Sequence, residues 1–348
     1  MRVVVNLVAV IITALSTVHA QTGPLVVEGE RHLKNIKQLT FGGENAEAYF
    51  SSDGKQLIFQ SKRDGRACDQ IYRMNIDGSN LQMVSNGEGR TTCAFFFKNG
   101  KKVIYASTHG GGRECPPNPD MSRGYVWAVY PDYDLYTATP DGKDIRKLTD
   151  VAGYDAEATI SPNGKKIIFT SERTGDLELF SMDLDGRNIK RLTHEPGYDG
   201  GAFYSPDSKM IVYRGSHPSD PQLIQRDKEF LRQHVVVPTV FEIWVMNADG
   251  SNKRQVTKLG AGSFAPYFTP DGKRIIFCTN YFATDPRKRN FDLAMINVDG
   301  TGLKRITFND TFDGFPMFSP DGKKLVFGSN RNAAKEGDTN VFIADWVE

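Results

Sequence analysis

Six copies of one short pattern recur along the chain, and this repetition constrains the fold more than any other feature of the sequence. Each copy consists of a turn ending in lysine, followed by an alternating run of apolar residues. The turns occupy residues 51–55, 97–101, 161–165, 205–209, 269–273 and 319–323, and successive copies are spaced 44 to 64 residues apart. A self-similar period of this size predicts a repeat architecture.

The third copy shows what one repeat contains. A first strand signal ends in the turn Pro162-Asn163-Gly164, where proline presets φ and glycine accepts a positive φ. Asp185-Gly186 supplies a hairpin turn between later strands. Three further strand signals follow the first, at residues 166–171, 177–182 and 189–193. Each repeat therefore predicts four antiparallel strands, which is the composition of one β-propeller blade.

The sixth repeat ends before its fourth strand. The chain stops soon after a strand signal at residues 340–346, whereas a strand of the missing kind, residues 35–40, precedes the first repeat. We expect this N-terminal strand to be the outermost strand of the sixth blade, because that pairing closes the ring and covers an exposed sheet edge. The prediction is an all-β, six-bladed propeller of four-stranded antiparallel blades over residues 35–348.

The repeats resemble the WD40-like PD40 repeats of TolB-like six-bladed β-propellers. The resemblance is carried by SPDGKKLVFGSNR at residues 319–331 and NVDGTGLKRIT at residues 297–307, and it extends over residues 35–348. TolB itself has an additional N-terminal α/β domain, for which residues 21–34 are too short. Prolyl-oligopeptidase-type peptidases carry similar propellers, but the Gly-x-Ser-x-Gly motif of their hydrolase domain does not occur in this chain.

The N-terminus predicts export from the cytoplasm. In residues 1–20, Arg2 precedes a mostly apolar run, and Val18-His19-Ala20 fits a signal-peptidase site before Gln21. The apolar run is shorter than the ~20 residues that a transmembrane helix needs, so no transmembrane anchor is expected after cleavage. We therefore expect a periplasmic or secreted protein, with an N-terminal segment at residues 21–34 ahead of the propeller.

The charge balance excludes one class of partner. Lysine and arginine number 43 and aspartate and glutamate 42, so the chain lacks the basic excess that nucleic-acid binding requires.

Two positions of each innermost strand are predicted to lie at one mouth of the propeller channel. The first is polar in every blade: Asn45, Thr91, Asp155, Asp199, Ser263 and Asp313. The second lies two residues further on: Glu47, Cys93, Glu157, Gly201, Ala265 and Phe315. The carboxylates of the first set either ring the mouth or cap a loop and pair with a neighbouring arginine.

The end of the second strand differs between blades. It carries Arg63, His109, Arg173, His217, Tyr281 and Arg331 in blades one to six. We expect the arginines to bridge to a carboxylate of the inner strand and so to lock the loop. The two histidines occur in the two blades with long insertions, and long insertions on one face of a rigid scaffold often carry function.

The blade-two insertion, residues 107–134, is rich in glycine, proline and aromatic residues. Its Tyr125, Trp127 and Tyr130 either anchor a sugar ring or a protein partner, or pack the insertion onto its own blade.

The blade-four insertion, residues 217–242, predicts a short helix over the mouth. Asp220 is the expected N-cap and Pro221 the first helical residue, and Pro238 prevents any continuation. An apolar stripe at helical spacing either packs on the propeller or recruits a partner: Leu223, Ile224, Phe230 and Leu231.

Three of the four cysteines map to the same mouth. One disulfide among Cys68, Cys93 and Cys115 is expected in an oxidising compartment, with the pairing left open. Cys278 lies in a predicted strand and is expected to be a buried free thiol.

The leading functional hypothesis is a binding or scaffold module for a protein, peptide or glycan partner at this mouth, with no catalytic residue assigned and no cofactor predicted. The alternative is a propeller enzyme, a glycan lyase or hydrolase that uses the mouth histidines and carboxylates. His109 and His217, with Glu47, Asp155, Glu157 and Asp199, would then supply nitrogen and oxygen ligands to a divalent metal. No metal-binding spacing such as H-x-H supports that alternative.

Overall fold

The computed structural model describes residues 25–122, 124–284 and 290–348. Six four-stranded antiparallel sheets follow one another along the chain and form the predicted all-β, six-bladed propeller. The predicted signal peptide, residues 1–20, lies outside the described residues. In the described part of the chain, no helix has the length and apolar character needed to traverse a bilayer.

Strand β1 (Leu33–Gln38) precedes blade one. The first three blades, from the innermost strand outward, are built as follows. Blade one contains β2 (Glu44–Phe50), β3 (Gln56–Lys62), β4 (Gln70–Asn75) and β5 (Gln82–Met83). Blade two contains β6 (Thr91–Phe96), β7 (Val103–Ser107), β9 (Asp134–Ala138) and β10 (Arg146–Lys147), with β8 (Trp127–Ala128) in its insertion. Blade three contains β11 (Asp155–Ile160), β12 (Lys166–Ser171), β13 (Glu178–Asp183) and β14 (Lys190–Arg191).

The last three blades repeat this order. Blade four contains β15 (Tyr198–Tyr204), β16 (Met210–Ser216), β18 (Glu242–Asn247) and β19 (Arg254–Gln255), with α1 (Pro221–Arg232) and β17 (Val235–Val236) in its insertion. Blade five contains β20 (Ser263–Phe268), β21 (Arg274–Thr279), β22 (Asp292–Asn297) and β23 (Lys304–Arg305). Blade six contains β24 (Asp313–Phe318), β25 (Lys324–Ser329) and β26 (Asn340–Trp346).

The repeated turn has a local physical cause. In the sixth copy the Ser319 hydroxyl donates to Asp321 Oδ1 at 2.6 Å, and the Lys323 N–H donates to the same oxygen at 3.1 Å. Gly322 has a φ of 71°, which a residue without a side chain adopts at no steric cost. The turn therefore holds the two inner strands of a blade together through its own side chains.

The ring closes as predicted. β1 pairs antiparallel with β26, with Leu33 opposite Trp346 and Gln38 opposite Phe342, so the first strand of the chain completes the last blade. Fully buried aromatic and aliphatic residues between neighbouring blades, such as Phe59 and Phe327, form the core. Because the first and last segments share one sheet, ring closure couples the two ends of the chain.

The two long insertions meet each other, which the sequence did not indicate. β8 of the blade-two insertion pairs antiparallel with β17 of the blade-four insertion, with Trp127 opposite Val236. Blades two and four are separated by blade three, so this two-stranded sheet spans that blade. The insertions are therefore one joint structure at the mouth.

Helix α1 begins as predicted but does not lie over the channel. Asp220 Oδ1 accepts the Gln222 N–H at 2.8 Å, and Pro221 is the first helical residue. Ile224, Phe230 and Leu231 face the junction of blades three and four, where they line a cavity of about 40 Å³. The apolar stripe thus packs on the propeller, and only Leu223 of the four is largely exposed.

Candidate functional site

A β-bulge in the innermost strand of every blade aims one residue at the channel. In all six blades the register of the inner pair shifts at this point. The bulged residues have φ between 50° and 59° and are the second of the two predicted positions: Glu47, Cys93, Glu157, Gly201, Ala265 and Phe315. A bulge redirects a side chain that a regular strand would place in the core.

A cavity of about 810 Å³ occupies the channel mouth above these residues. Glu47, Cys93, Glu157 and Phe315 contribute to its floor, whereas the blade-two insertion supplies much of its wall. The insertion residues lining the cavity include Asn118, Met121, Tyr125, Trp127 and Tyr130. Pockets of this volume are typical of ligand sites.

Glu157 is the most heavily hydrogen-bonded group of the floor. Its carboxylate accepts the Thr170 hydroxyl at 2.7 Å and the Gly201 N–H at 2.9 Å, and it forms an ion pair with Arg214. The Tyr198 hydroxyl lies 3.1 Å from the same carboxylate. Burial by itself would raise the pKa of Glu157, but the Arg214 charge and these hydrogen bonds outweigh it and lower the pKa.

Arg214 is a central residue of the site that the sequence analysis missed. Its guanidinium contacts Glu157 and Tyr198 and lies 5.2 Å from the Trp127 ring centroid. The corresponding second-strand position is uncharged in the other five blades: Gln60, Ala106, Thr170, Cys278 and Gly328. The sequence did contain a signal for this residue: a position that is uncharged in five blades carries an arginine in blade four.

Two glycines make room for this network. A side chain at Gly200 would collide with Glu157 and Tyr198, and one at Gly201 would collide with Arg214. Both glycines lie on β15, the innermost strand of blade four. Gly200 and Gly201 therefore leave the space that the buried Arg214–Glu157 ion pair occupies.

Glu47 faces the same cavity and forms no ion pair with another of the described residues, although it shares a small neighbouring cavity with Arg214. Burial raises the pKa of Glu47 to about 7; the Glu157 charge adds to this, while hydrogen bonds with Cys93 and Tyr49 and the Arg214 charge oppose it. The two carboxyl groups of the floor thus have pKa values displaced in opposite directions.

The aspartates of the first set of predicted positions are structural, whereas Asn45 and Thr91 of that set line the mouth cavity. Asn45, Thr91, Asp155, Asp199, Ser263 and Asp313 are all at most 1% exposed. Asp155 pairs with Arg173 at 2.9 Å, and Asp313 pairs with Arg331 at 2.9 Å, as the sequence predicted for blades three and six. In blade one the inner-strand residue is Asn45, and the Arg63 guanidinium lies over the Tyr72 ring instead, 5.6 Å from its centroid. None of Asp155, Asp199 and Asp313 is among the described residues that line the mouth cavity.

The two histidines lie apart from the cavity as well. His217 Nε2 is 2.8 Å from Asp199 Oδ1, so in blade four this pair replaces the Asp–Arg bridge. His109 Nδ1 is 2.7 Å from the Ser107 hydroxyl, and its ring packs on Tyr136 with 4.1 Å between centroids. Within the described ranges, no group of three or more histidine, cysteine, aspartate or glutamate side chains is placed to hold a metal ion.

The insertion aromatics are held by packing and also line the cavity. Trp127 stacks on Phe241 of the blade-four insertion, with 5.4 Å between centroids and 9° between the planes. The Tyr130 hydroxyl donates to Pro117 O at 2.7 Å within the insertion. Tyr125 is 43% exposed and also lines the cavity. Packing thus fixes the positions of rings whose free surfaces form the cavity wall.

A disulfide joins the blade-two insertion to blade one. Cys68 and Cys115 are bonded, with 5.7 Å between their Cα atoms, and Cys93 and Cys278 are buried free thiols. This confirms the expectation of one disulfide among three cysteines and identifies its members. The bond restrains the wall of the mouth cavity relative to the propeller.

Removal of this disulfide in a Cys68→Ser, Cys115→Ser double variant is expected to lower the free energy of unfolding by about 3–4 kcal/mol. The bond closes a loop of 47 residues, and the loss of unfolded-chain entropy grows with loop length. Chemical denaturation measures the difference. Reducing agent should destabilise the wild type by a similar amount and leave the double variant unaffected; a loss under about 1 kcal/mol would contradict the expectation.

Replacing Glu47 with glutamine is expected to stabilise the protein at pH 8 by about 3 kcal/mol and to change little near pH 4. The pKa of Glu47 is raised to about 7 in the folded state, above its value of 4.5 in an ordinary setting. Its contribution to stability is therefore fully present below about pH 4.5 and is lost as pH rises to 7. Denaturation curves at several pH values measure this. Glu44→Gln, at a rim side chain 62% exposed, is the control and should show no such pH dependence.

Comparison with known proteins agrees with the geometry. The PD40 family, described as the TolB beta propeller domain, matches residues 119–227. Dipeptidyl-peptidase 5 of Porphyromonas endodontalis is 23% identical over 126 residues, which cover 35% of this chain and 15% of that protein. The TolB homolog of Chlorobium luteolum is 24% identical over 146 residues, which cover 35% of this chain and 33% of that protein. The matches thus span a third or less of these relatives' own length.

A solved structure extends the similarity to most of the fold. The putative TolB from Agrobacterium tumefaciens superposes with a TM-score of 0.55 at 18% sequence identity. The superposition covers 88% of this chain and 91% of that one. At this level of identity the likeness concerns the fold.

Proposed function

Because this chain is a TolB-like six-bladed β-propeller, we propose that it is an extracytoplasmic binding module whose channel mouth holds a protein segment, a peptide or a glycan. The observation that carries the proposal is the cavity of about 810 Å³ at that mouth, with an aromatic wall over a buried ion pair. A concave, partly apolar site with a few positioned polar groups is the usual form of a ligand site.

The construction of the wall supports this proposal. The insertions of blades two and four pair with each other through β8 and β17, and a disulfide ties the first of them to blade one. A wall restrained at both points loses little conformational entropy when a ligand binds, and this preorganisation favours affinity. The wall aromatics Tyr125, Trp127 and Tyr130 are of the types enriched at interface hot spots.

The proposed location outside the cytoplasm follows from the predicted signal peptide and agrees with the disulfide. Disulfides persist in the periplasm and outside the cell and are rare in the cytosol. Edman sequencing or mass spectrometry of the exported protein tests this part, because cleavage before Gln21 is expected. A protein that retains Met1 and stays in the cytosolic fraction would contradict it.

A matched pair of tyrosine variants tests the binding proposal. Tyr125 lines the cavity and Tyr281 does not, yet the two side chains have similar exposures, 43% and 49%. The immobilised protein is used to capture partners from envelope extracts and to bind peptide and glycan arrays. Tyr125→Ala should reduce capture at least tenfold while Tyr281→Ala leaves it unchanged, in keeping with the energy of an aromatic anchor. Equal capture by both variants would contradict the proposal.

One observation favours a second function, a glycan hydrolase or lyase. Glu47 and Glu157 line the same cavity, and the pKa of Glu47 is raised to about 7 while that of Glu157 is lowered. Two carboxyl groups whose pKa values are displaced in opposite directions can divide the roles of general acid and general base. This function would be established if the protein released products from oligosaccharides and this activity were abolished in Glu47→Gln but kept in Glu44→Gln. If no oligosaccharide of a broad panel were cleaved, the enzymatic function would be contradicted.

A further inference from the structure

The ionisable groups that line the mouth cavity are unequal in number. The described lining contains four carboxylates and three cations. Each cation already has a carboxylate partner: Lys62 with Glu44 at 3.2 Å, Arg90 with Asp69 at 3.1 Å, and Arg214 with Glu157. Glu47 is the carboxylate left without a cation.

The immediate partners of Glu47 are neutral. Its hydrogen-bond partners are the Tyr49 hydroxyl, on the same strand β2, and the Cys93 thiol, on the innermost strand of blade two. Burial raises the pKa of both groups well above their ordinary values, so the thiol and the phenol stay protonated. They can donate to the Glu47 carboxylate, but they cannot balance its charge.

Aromatic rings line the same cavity as this carboxylate. Glu47 and Phe315 both line the mouth cavity and a smaller cavity of about 20 Å³ directly beside it. Further rings of the mouth cavity are Trp127, Tyr154, Tyr198, Phe264 and Phe312. A cation is attracted to the faces of aromatic rings, and more strongly where water is excluded.

Every cation among the described lining residues is already paired with a carboxylate, so none is left to pair with an anionic group of a ligand. To bind an anionic group, Arg90 or Arg214 would have to release a largely buried carboxylate partner and leave its charge unpaired, whereas the Lys62–Glu44 pair is exposed at the rim. The Arg214 pair is also held by Thr170 and Gly201, which donate to the Glu157 carboxylate. The charge arrangement therefore selects against carboxylated or phosphorylated ligands.

We propose that the mouth cavity binds its ligand through an ammonium group, which pairs with Glu47 among the aromatic rings of the floor and wall. The proposal rests on the binding function proposed above and specifies its ligand chemistry. A lysine side chain of a peptide and the free amine of an amino sugar both present this group. In either case the ion pair completes the charge balance of the cavity, with Glu47 as the residue that determines specificity.

Two pairs of probes that differ only in one acetyl group test the proposal. The first is a pentapeptide with blocked termini and a central lysine, compared with its Nε-acetyl-lysine form. The second is a tetramer of glucosamine, compared with the tetramer of N-acetylglucosamine. Tetragalacturonate serves as the anionic probe, and calorimetric titration at pH 7 measures each affinity.

The charged member of at least one pair should bind at least tenfold more tightly than its acetylated form, and the pair that responds identifies the source of the amine. Glu47→Gln should weaken that binding at least tenfold, whereas Glu348→Gln, at a side chain that is 70% exposed and does not line the cavity, should alter it less than threefold. Glu47→Gln is nearly isosteric, and cooperative thermal unfolding of the variant is the check that it folds.

Other results would overturn the proposal. These are equal binding of charged and acetylated probes, tighter binding of tetragalacturonate, full affinity in Glu47→Gln, or no binding of any probe. The binding function would stand without the ammonium proposal if an acetylated or anionic probe, or a captured protein, bound and was lost in Tyr125→Ala but not in Tyr281→Ala. If neither Tyr125→Ala nor Tyr281→Ala changed the binding of any probe or captured protein, both the ammonium proposal and the proposed binding function would be contradicted.

Discussion

Replacing Arg331 with alanine is expected to lower the free energy of unfolding by about 3–5 kcal/mol, because the change leaves two buried carboxylates without their cation. Arg331 is paired with Glu30 at 2.8 Å and with Asp313 at 2.9 Å, and all three side chains are at most 4% exposed. Its guanidinium also donates to Leu25 O at 2.8 Å. One side chain thus joins the N-terminal segment to the innermost strand of blade six.

A surface ion pair in the same blade provides the control. Lys324 is paired with Asp345 at 2.6 Å, but both side chains are about 40% exposed. Exposed pairs contribute about 0–1 kcal/mol, so Lys324→Ala should cost little in the same denaturation experiment. Adding Glu30→Gln to Arg331→Ala should recover part of the loss, since one unpaired charge disappears. A loss below about 1 kcal/mol for Arg331→Ala would contradict the structural role.

Replacing Arg214 with alanine is expected to cost about 3–5 kcal/mol of stability. The substitution leaves Glu157 buried without its cation and removes the guanidinium 5.2 Å from the Trp127 ring. The loss should be larger at pH 8 than at pH 5. In the wild type the lowered pKa of Glu157 makes its contribution to stability fully present above pH 4.5; without Arg214, burial raises that pKa and the ionised form becomes unfavourable.

Two further variants separate the ion pair from other effects. Arg187→Ala removes a guanidinium that is 82% exposed and paired with Asp185, and it should change neither stability nor binding. Arg214→Met combined with Glu157→Gln removes both charges and should be more stable than Arg214→Ala, because no unpaired ion is buried. Two results together would show that the unpaired charge of Glu157 does not cause the loss: a double variant no more stable than Arg214→Ala, and a stability loss of Arg214→Ala that does not depend on pH.

The structure corrects the sequence analysis mainly in the assignment of side-chain directions. Asp155, Asp199 and Asp313 were candidates for the mouth, yet they lie buried beside Arg173, His217 and Arg331. The residues that reach the channel are those two positions later, because a bulge interrupts the regular alternation of each inner strand. A repeat aligned on its turns locates both positions but does not show which one the backbone directs inward.

The sequence by itself determined what depends on local chemistry and on repetition. Six turns of one sequence pattern, alternating strands and one strand displaced to the N-terminus suffice to predict the number of blades and the closure of the ring. The same reading predicted the helix start at Asp220, the arginine bridges of blades three and six, and one disulfide near the mouth.

Tertiary structure alone decided how distant segments meet. The pairing of β8 with β17 across blade three, the choice of Cys68 and Cys115 as partners, and the contact of Arg214 with Glu157 each join residues of different blades. Such contacts depend on the rotation between blades and on the paths of the insertions, which no single repeat encodes. The charge balance that leaves Glu47 unpaired arises only when these segments close around one cavity.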